Sequence, residues 1–141
     1  SNVRSACYSG AGFNAVEYIK HSNETELVIP MAEDFEFMDN IEEIMSVPGI
    51  DAINYGPADY AMSLCIPKFY DVNEPNVKAS MDAIAKYTGR LVMGLMAPAI
   101  PPVAENVRTL LDRGVNMIIM GNDMMCINTS LKSIMEEKGK L

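Results

Sequence analysis

The stretch "DAINYGPAD", residues 51–59, sets an apolar run against a Gly-Pro pair and then a carboxylate. The run 51–55 is continuous rather than alternating, the pattern of a strand buried on both faces, as in a parallel sheet. Gly56 permits close backbone approach, while Pro57 fixes φ and removes a donor. The chain must therefore turn tightly at the strand's end, and such a turn can aim the N–H groups of Ala58 and Asp59 at an anion.

Three more runs of this kind occur: "ELVIPM" (26–31), "RLVMGLM" (90–96) and "VNMIIM" (115–120). Each run is followed by apolar residues stepping by threes and fours, the signature of one apolar helix face. After the first come Phe37, Ile41, Ile44 and Met45; after the second, Val77, Met81, Ile84 and Tyr87. Val103, Val107, Leu110 and Leu111 follow the third, and Ile127, Leu131, Ile134 and Met135 the fourth. "VPG" (47–49), "TG" (88–89) and "RG" (113–114) predict helix ends with Gly at C′. Asp34 is placed to cap the first helix, and Asn73 or Glu74 precedes Pro75 at the start of the second. Strand and helix thus alternate four times, which predicts an α/β fold with a parallel sheet. Residues 1–25 read as a lead-in loop with a short helical piece near Ala15–Ile19 and room for an earlier strand stump around Val3.

At 141 residues the chain is one domain in length, and 49% apolar residues suffice for a core. A net charge of −8 opposes nucleic-acid binding. No apolar run reaches the ~18 residues of a membrane span, and no signal-peptide pattern opens the chain. Cys7, Cys65 and Cys126 are far apart and odd in number, which predicts free thiols in a reducing cytoplasm, each a small core hydrophobe. The twelve methionines read as core fillers. His21, the single histidine, falls in the polar stretch "KHSNE" and reads as a solvated surface residue. "GAG" (10–12) lacks the context of a dinucleotide-binding loop.

Ligands of parallel sheets bind at the carboxyl ends of strands. The polar residues there are Glu33, Asp59, and Asn122 with Asp123; the third strand offers none. Glu33 and Asp59 follow consecutive strands, which as neighbours would lie ~4.8 Å apart. Two carboxylates so close repel unless a cation or a proton lies between them, and a hard divalent ion fits. The other reading is capping of the next helix, the role expected for Asp34 and Asp123. Spacing alone leaves both open.

The segment "MAEDFEFMDNIEEIMSVPGIDAINYGPADYAMSL" (31–64) resembles the HpcH/HpaI family of class II, metal-dependent aldolases acting on 4-hydroxy-2-oxo acids. It holds, in order, a strand ending in Glu, an amphipathic helix, a V-x-G-I/V-D turn, a strand and G-P-A-D. The likeness continues through "GLMAP" (94–98) to "RGVNMIIMGNDMMCINTSL" (113–131). The resemblance implies the C-terminal half, about four βα units, of a TIM-type (β/α)8 barrel. It implies Glu33 and Asp59 as ligands of Mg²⁺ or Mn²⁺, with Co²⁺ a third candidate. It implies backbone contacts from Ala58 and Asp59 to the carboxylate of a small 2-oxo acid. The partners so implied are the N-terminal half of the barrel and further copies in an oligomer, in the cytoplasm. Met31 stands where many members carry Gln. The arginine and histidine of the family's chemistry have no match here, since Arg4, Arg90, Arg108 and Arg113 lie outside the corresponding motifs. Alternatives are a citrate-lyase-like enzyme acting on acyl-CoA esters and a non-catalytic half-barrel that pairs through its sheet edges.

Overall fold

The computed structural model describes residue 10 and residues 12–67, 74–91 and 93–140. Val3, Arg4, Cys7 and Asn73 lie outside the described residues. The elements run α1 (Ala15–Thr25), β1 (Met31–Ala32), α2 (Phe35–Asp39), α3 (Ile41–Ser46), β2 (Ala52–Tyr55), α4 (Pro57–Ser63), α5 (Pro75–Thr88), β3 (Gly94–Pro98), α6 (Ala104–Asp112), β4 (Val115–Ile119) and α7 (Asp123–Lys138). The strands form one parallel sheet in the order β1-β2-β3-β4. Sequential order with a helix between neighbours is what repeated βα units require.

One face of the sheet, with Ala32, Ile53, Tyr55, Leu95 and Ala97, is buried against Phe37, Ile41, Val77, Met81, Ile84 and Leu110 of the helices. The Tyr55 hydroxyl donates to the Val77 carbonyl at 3.2 Å and lies 2.6 Å from Ser80 Oγ, itself bonded to Val77 O at 2.9 Å. Burial holds the Tyr55 phenol well above its ordinary 10.0; the Ser80 bond works against this, and the Tyr60 and Glu74 charges add to it.

Several sequence expectations need correction. The first strand is two residues, not six, because Pro30 has no N–H to give and the Val28 N–H goes to Asp51 Oδ2 at 2.8 Å. The third strand starts at Gly94 rather than Arg90. The first helix is two helices, broken at Asn40, whose Nδ2 bonds the Glu36 carbonyl at 2.8 Å. Only Gly114 is the positive-φ C′ residue expected; Gly89 is right-handed, and Gly49 lies beyond C′. Asp34 caps α2 (Oδ1 to Phe37 N, 2.7 Å) and Glu74 caps α5 as expected. Asn122, not Asp123, caps α7. The short piece near Ala15–Ile19 is an eleven-residue helix that carries His21, which is exposed but not in a loop.

Cys65 and Cys126 are exposed, not core. Cys126 lies on α7, a helix with no buried residue, where Ile127, Leu131, Ile134 and Met135 are also exposed. Cys65 sits after α4 at φ 56, where Ile66 N bonds Ala61 O at 2.8 Å. That 6→1 bond marks a Schellman ending, whose C′ position favours glycine. Methionines divide: Met45 and Met81 are buried, while Met31, Met62, Met120, Met124 and Met135 are exposed.

Cys65→Gly is expected to stabilise the fold by about 0.5–1 kcal/mol by relieving the left-handed backbone, measured by urea unfolding. A phenol with a raised folded-state pKa contributes stability that is whole below its unfolded value and lost at higher pH. Stability should hold below pH 9 and fall above about 10, where unfolded tyrosines ionise first. Tyr55→Phe should reduce that alkaline slope by up to about 1.4 kcal/mol per pH unit, leaving the part due to Tyr60, also raised by burial.

Candidate active site

The register Ala32↔Tyr55 carries Glu33 level with Gly56 at the carboxyl end of the sheet. Ala32 and Tyr55 face the helices, so alternation turns Glu33 and Gly56 to the opposite face. Gly56 N also bonds Ala32 O at 3.0 Å, which fixes the two strand ends together.

Immediately after β2 the chain winds into α4, not the bare turn expected from the sequence. Gly56 is its N-cap and Pro57 its first residue, a position where proline's fixed φ suits a helix. Asp59 stands in the first turn and is exposed; Glu33 is half-buried. A Cβ at residue 56 would lie 3.1 Å from Glu33 Cβ and 3.6 Å from both Glu33 Oε2 and Asp59 Oδ2. Glycine therefore leaves open a small space that both carboxylates border. Tyr60 anchors α4 from behind, buried with its ring centroid 6.0 Å from that of Tyr55.

A helix start leaves four N–H groups without intrahelical partners. Here the Gly56 N–H is taken by Ala32, and Pro57 has none. The N–H groups of Ala58 and Asp59 remain, and no side chain caps them.

The basic residues stay away from this rim. Arg90 Nη2 donates to the Met45 carbonyl at 3.3 Å, before β3 begins, and Arg113 likewise precedes β4. Among the described residues the printed ion pairs, Lys78–Asp82 and Lys140–Glu137, involve neither Glu33 nor Asp59. Two negative groups bordering one space call for a cation. Among the described residues no group of three or more His, Cys, Asp or Glu side chains converges, so the protein donors are this pair. All-oxygen donors of that number suit a hard divalent ion that keeps its other positions for water or substrate.

Asp123 does not join them: its Oδ1 accepts from Met124 N at 2.8 Å on the far strand. Met31 pairs with Asn54 and is half exposed on the face that carries Glu33. The sequence reading passed over Asn54, although a polar residue inside an apolar run is a signal in itself.

The architecture and rim define a parallel α/β protein with a two-carboxylate site. The family model for HpcH/HpaI aldolase/citrate lyase matches residues 7–129, and the chain belongs to that family. It is 27% identical over 134 residues to a hydroxypyruvate/pyruvate aldolase of Pseudomonas aeruginosa, covering 94% of this chain and 48% of that protein. The solved HpcH/HpaI aldolase of Desulfitobacterium hafniense DCB-2 superposes with a TM-score of 0.74 at 20% identity, over 91% of this chain and 48% of the other. A citrate synthase, SbnG, superposes with a TM-score of 0.72 at 27% identity, over 90% and 51%. The chain spans no more than about half the length of the curated relatives it matches. No helix among the described residues is long and apolar enough to cross a membrane.

Gly56→Ala is expected to displace Glu33 and cost about 1–2 kcal/mol in urea unfolding, since a contact of 3.1 Å between two Cβ atoms is overpacked.

Proposed function

We propose that this chain supplies the metal-binding half of a (β/α)8 aldolase, a carbon–carbon lyase cleaving 4-hydroxy-2-oxo acids to pyruvate and an aldehyde. The observation that carries this is the meeting of Glu33 and Asp59 around Gly56 at the carboxyl rim of a parallel sheet, in a chain of an aldolase family. The half-barrel reading is supported by the sequential strand order, by the two open edges and by the coverage of the longer relatives.

In this reading Glu33 and Asp59 hold Mg²⁺ or Mn²⁺, with Co²⁺ a third candidate. When bound, such an ion acts as a Lewis acid toward the keto oxygen of the 2-oxo acid. The N–H groups of Ala58 and Asp59 receive the substrate carboxylate, which orients C3 across the rim. In cleavage the C3–C4 bond breaks, the 4-hydroxyl loses its proton, and C3 gains one. The base and the cation that serve those transfers come from outside this chain, because Arg90 and Arg113 lie at the other end of the strands. The exposed apolar residues of α7 favour association with the other half or with further copies.

A second reading, bond formation as in citrate synthesis, is favoured by the SbnG likeness. An acyl-CoA substrate is less well served, since that cofactor's phosphates call for basic groups near the rim.

In the full-length protein, Glu33→Gln and Asp59→Asn should each weaken Mn²⁺ binding at least tenfold by calorimetry and abolish metal-dependent proton exchange of pyruvate. Unchanged Mn²⁺ affinity in both variants would overturn the assignment.

A further inference from the structure

Residues 31, 54, 96 and 117 stand side by side across the sheet: Met31 pairs with Asn54, Asn54 with Met96, and Met96 with Met117. Their neighbours along the strands, Ala32, Ile53, Tyr55, Leu95 and Ala97, are buried toward the helices. The four therefore line the other face, the one that carries Glu33 at its rim. Asn54 is two residues before Gly56 on β2, about 6.7 Å below the space that Glu33 and Asp59 border.

Its environment is unlike that of any other amide here. The adjacent side chains in the row are methionines, and the pair beneath is Ala52 and Gly94. A second amide reaches this face, that of Asn116, but its Oδ1 accepts the Leu95 N–H at 3.1 Å. Asn54 is half-buried, and among the described residues its side chain has no hydrogen-bond partner. A primary amide held against thioethers with nothing to bond destabilises the fold relative to an apolar residue of its size. Its N–H groups face the underside of the carboxylate pair. A 2-oxo acid offers only acceptors, in its carboxylate and keto oxygens, so the amide NH₂ is the complementary end.

We propose that Asn54 is a substrate-positioning residue, its side-chain N–H donating to an oxygen of the 2-oxo acid seated between Glu33 and Asp59. This rests on the aldolase reading. Asn54 would thereby set the tilt of the substrate over the methionine row without holding the metal.

The test uses the full-length protein and the variants Asn54→Leu, which keeps size and removes polarity, and Asn54→Asp, which keeps size and removes the donor. Calorimetry gives Mn²⁺ affinity alone and pyruvate affinity with Mn²⁺ saturating; urea unfolding without metal gives stability. Asn54→Leu should leave Mn²⁺ affinity within about twofold, lower pyruvate affinity about tenfold, and raise the urea midpoint. Asn54→Asp should weaken pyruvate at least as much, through carboxylate repulsion. Pyruvate affinity unchanged in both variants, with Mn²⁺ still bound, overturns the Asn54 role and leaves the aldolase reading intact. A lower urea midpoint in Asn54→Leu also overturns it, because the amide would then be bonded within the fold. Absence of Mn²⁺ binding by the unaltered protein overturns the aldolase reading and this proposal together.

Discussion

The parallel pairing of β1 with β2 is the constraint on which the site depends. Side chains alternate with a period of two, so a slip of one residue would turn Glu33 into the helix layer and Ala32 toward the rim. The ladder that prevents this is short. It consists of Met31↔Asn54 and Ala32↔Tyr55, flanked by bonds from Asp51 N to Val28 O and from Asn54 N to Pro30 O. What it lacks in length is made up outside the ladder. The Asp51 carboxylate ties the Val28 N–H, and Ala32, Ile53 and Tyr55 would each lose a buried environment on slipping. The edge strand is thus fixed by packing and by one side chain more than by backbone bonds.

The same logic places Asp59. Its backbone belongs to α4, and α4 is held by Tyr60 against Tyr55, whose hydroxyl is anchored to Ser80 and Val77 of α5. One buried phenol therefore connects the strand that aligns Glu33 with the helix that presents Asp59. The pair is positioned by a core interaction lying behind the sheet, away from the face where ligand would sit.

Much of this was legible in the sequence. Unbroken apolar runs identified four parallel strands, and strand-end carboxylates singled out residues 33 and 59, because burial on two faces and placement at a rim both leave compositional marks. The boundaries were less legible. Pro30 and the Asp51–Val28 bond shorten β1, and Asn40 splits a helix, through local hydrogen bonds that periodicity does not register. The helix beginning at Pro57 hid behind its own start signal, since Gly-Pro reads equally as a turn. The cysteines were misread because usage statistics put thiols inside, whereas Cys65 ends a helix and Cys126 lies on one that buries nothing. Asn54 escaped notice because a run was read as uniform, when its two faces meet different surroundings.

One irregularity bears on how this chain can change over time. Between β3 and β4 the register steps from Leu95↔Val115 to Met96↔Met117, so Asn116 is passed over and its amide fills the gap above Gly94. The extra residue acts as a spacer. Its loss would join Val115 directly to Met117 in an uninterrupted ladder, and every later side chain would keep its side of the sheet. A deletion anywhere else in that strand would turn the remainder inside out, so position 116 is where length variation is inherited most cheaply.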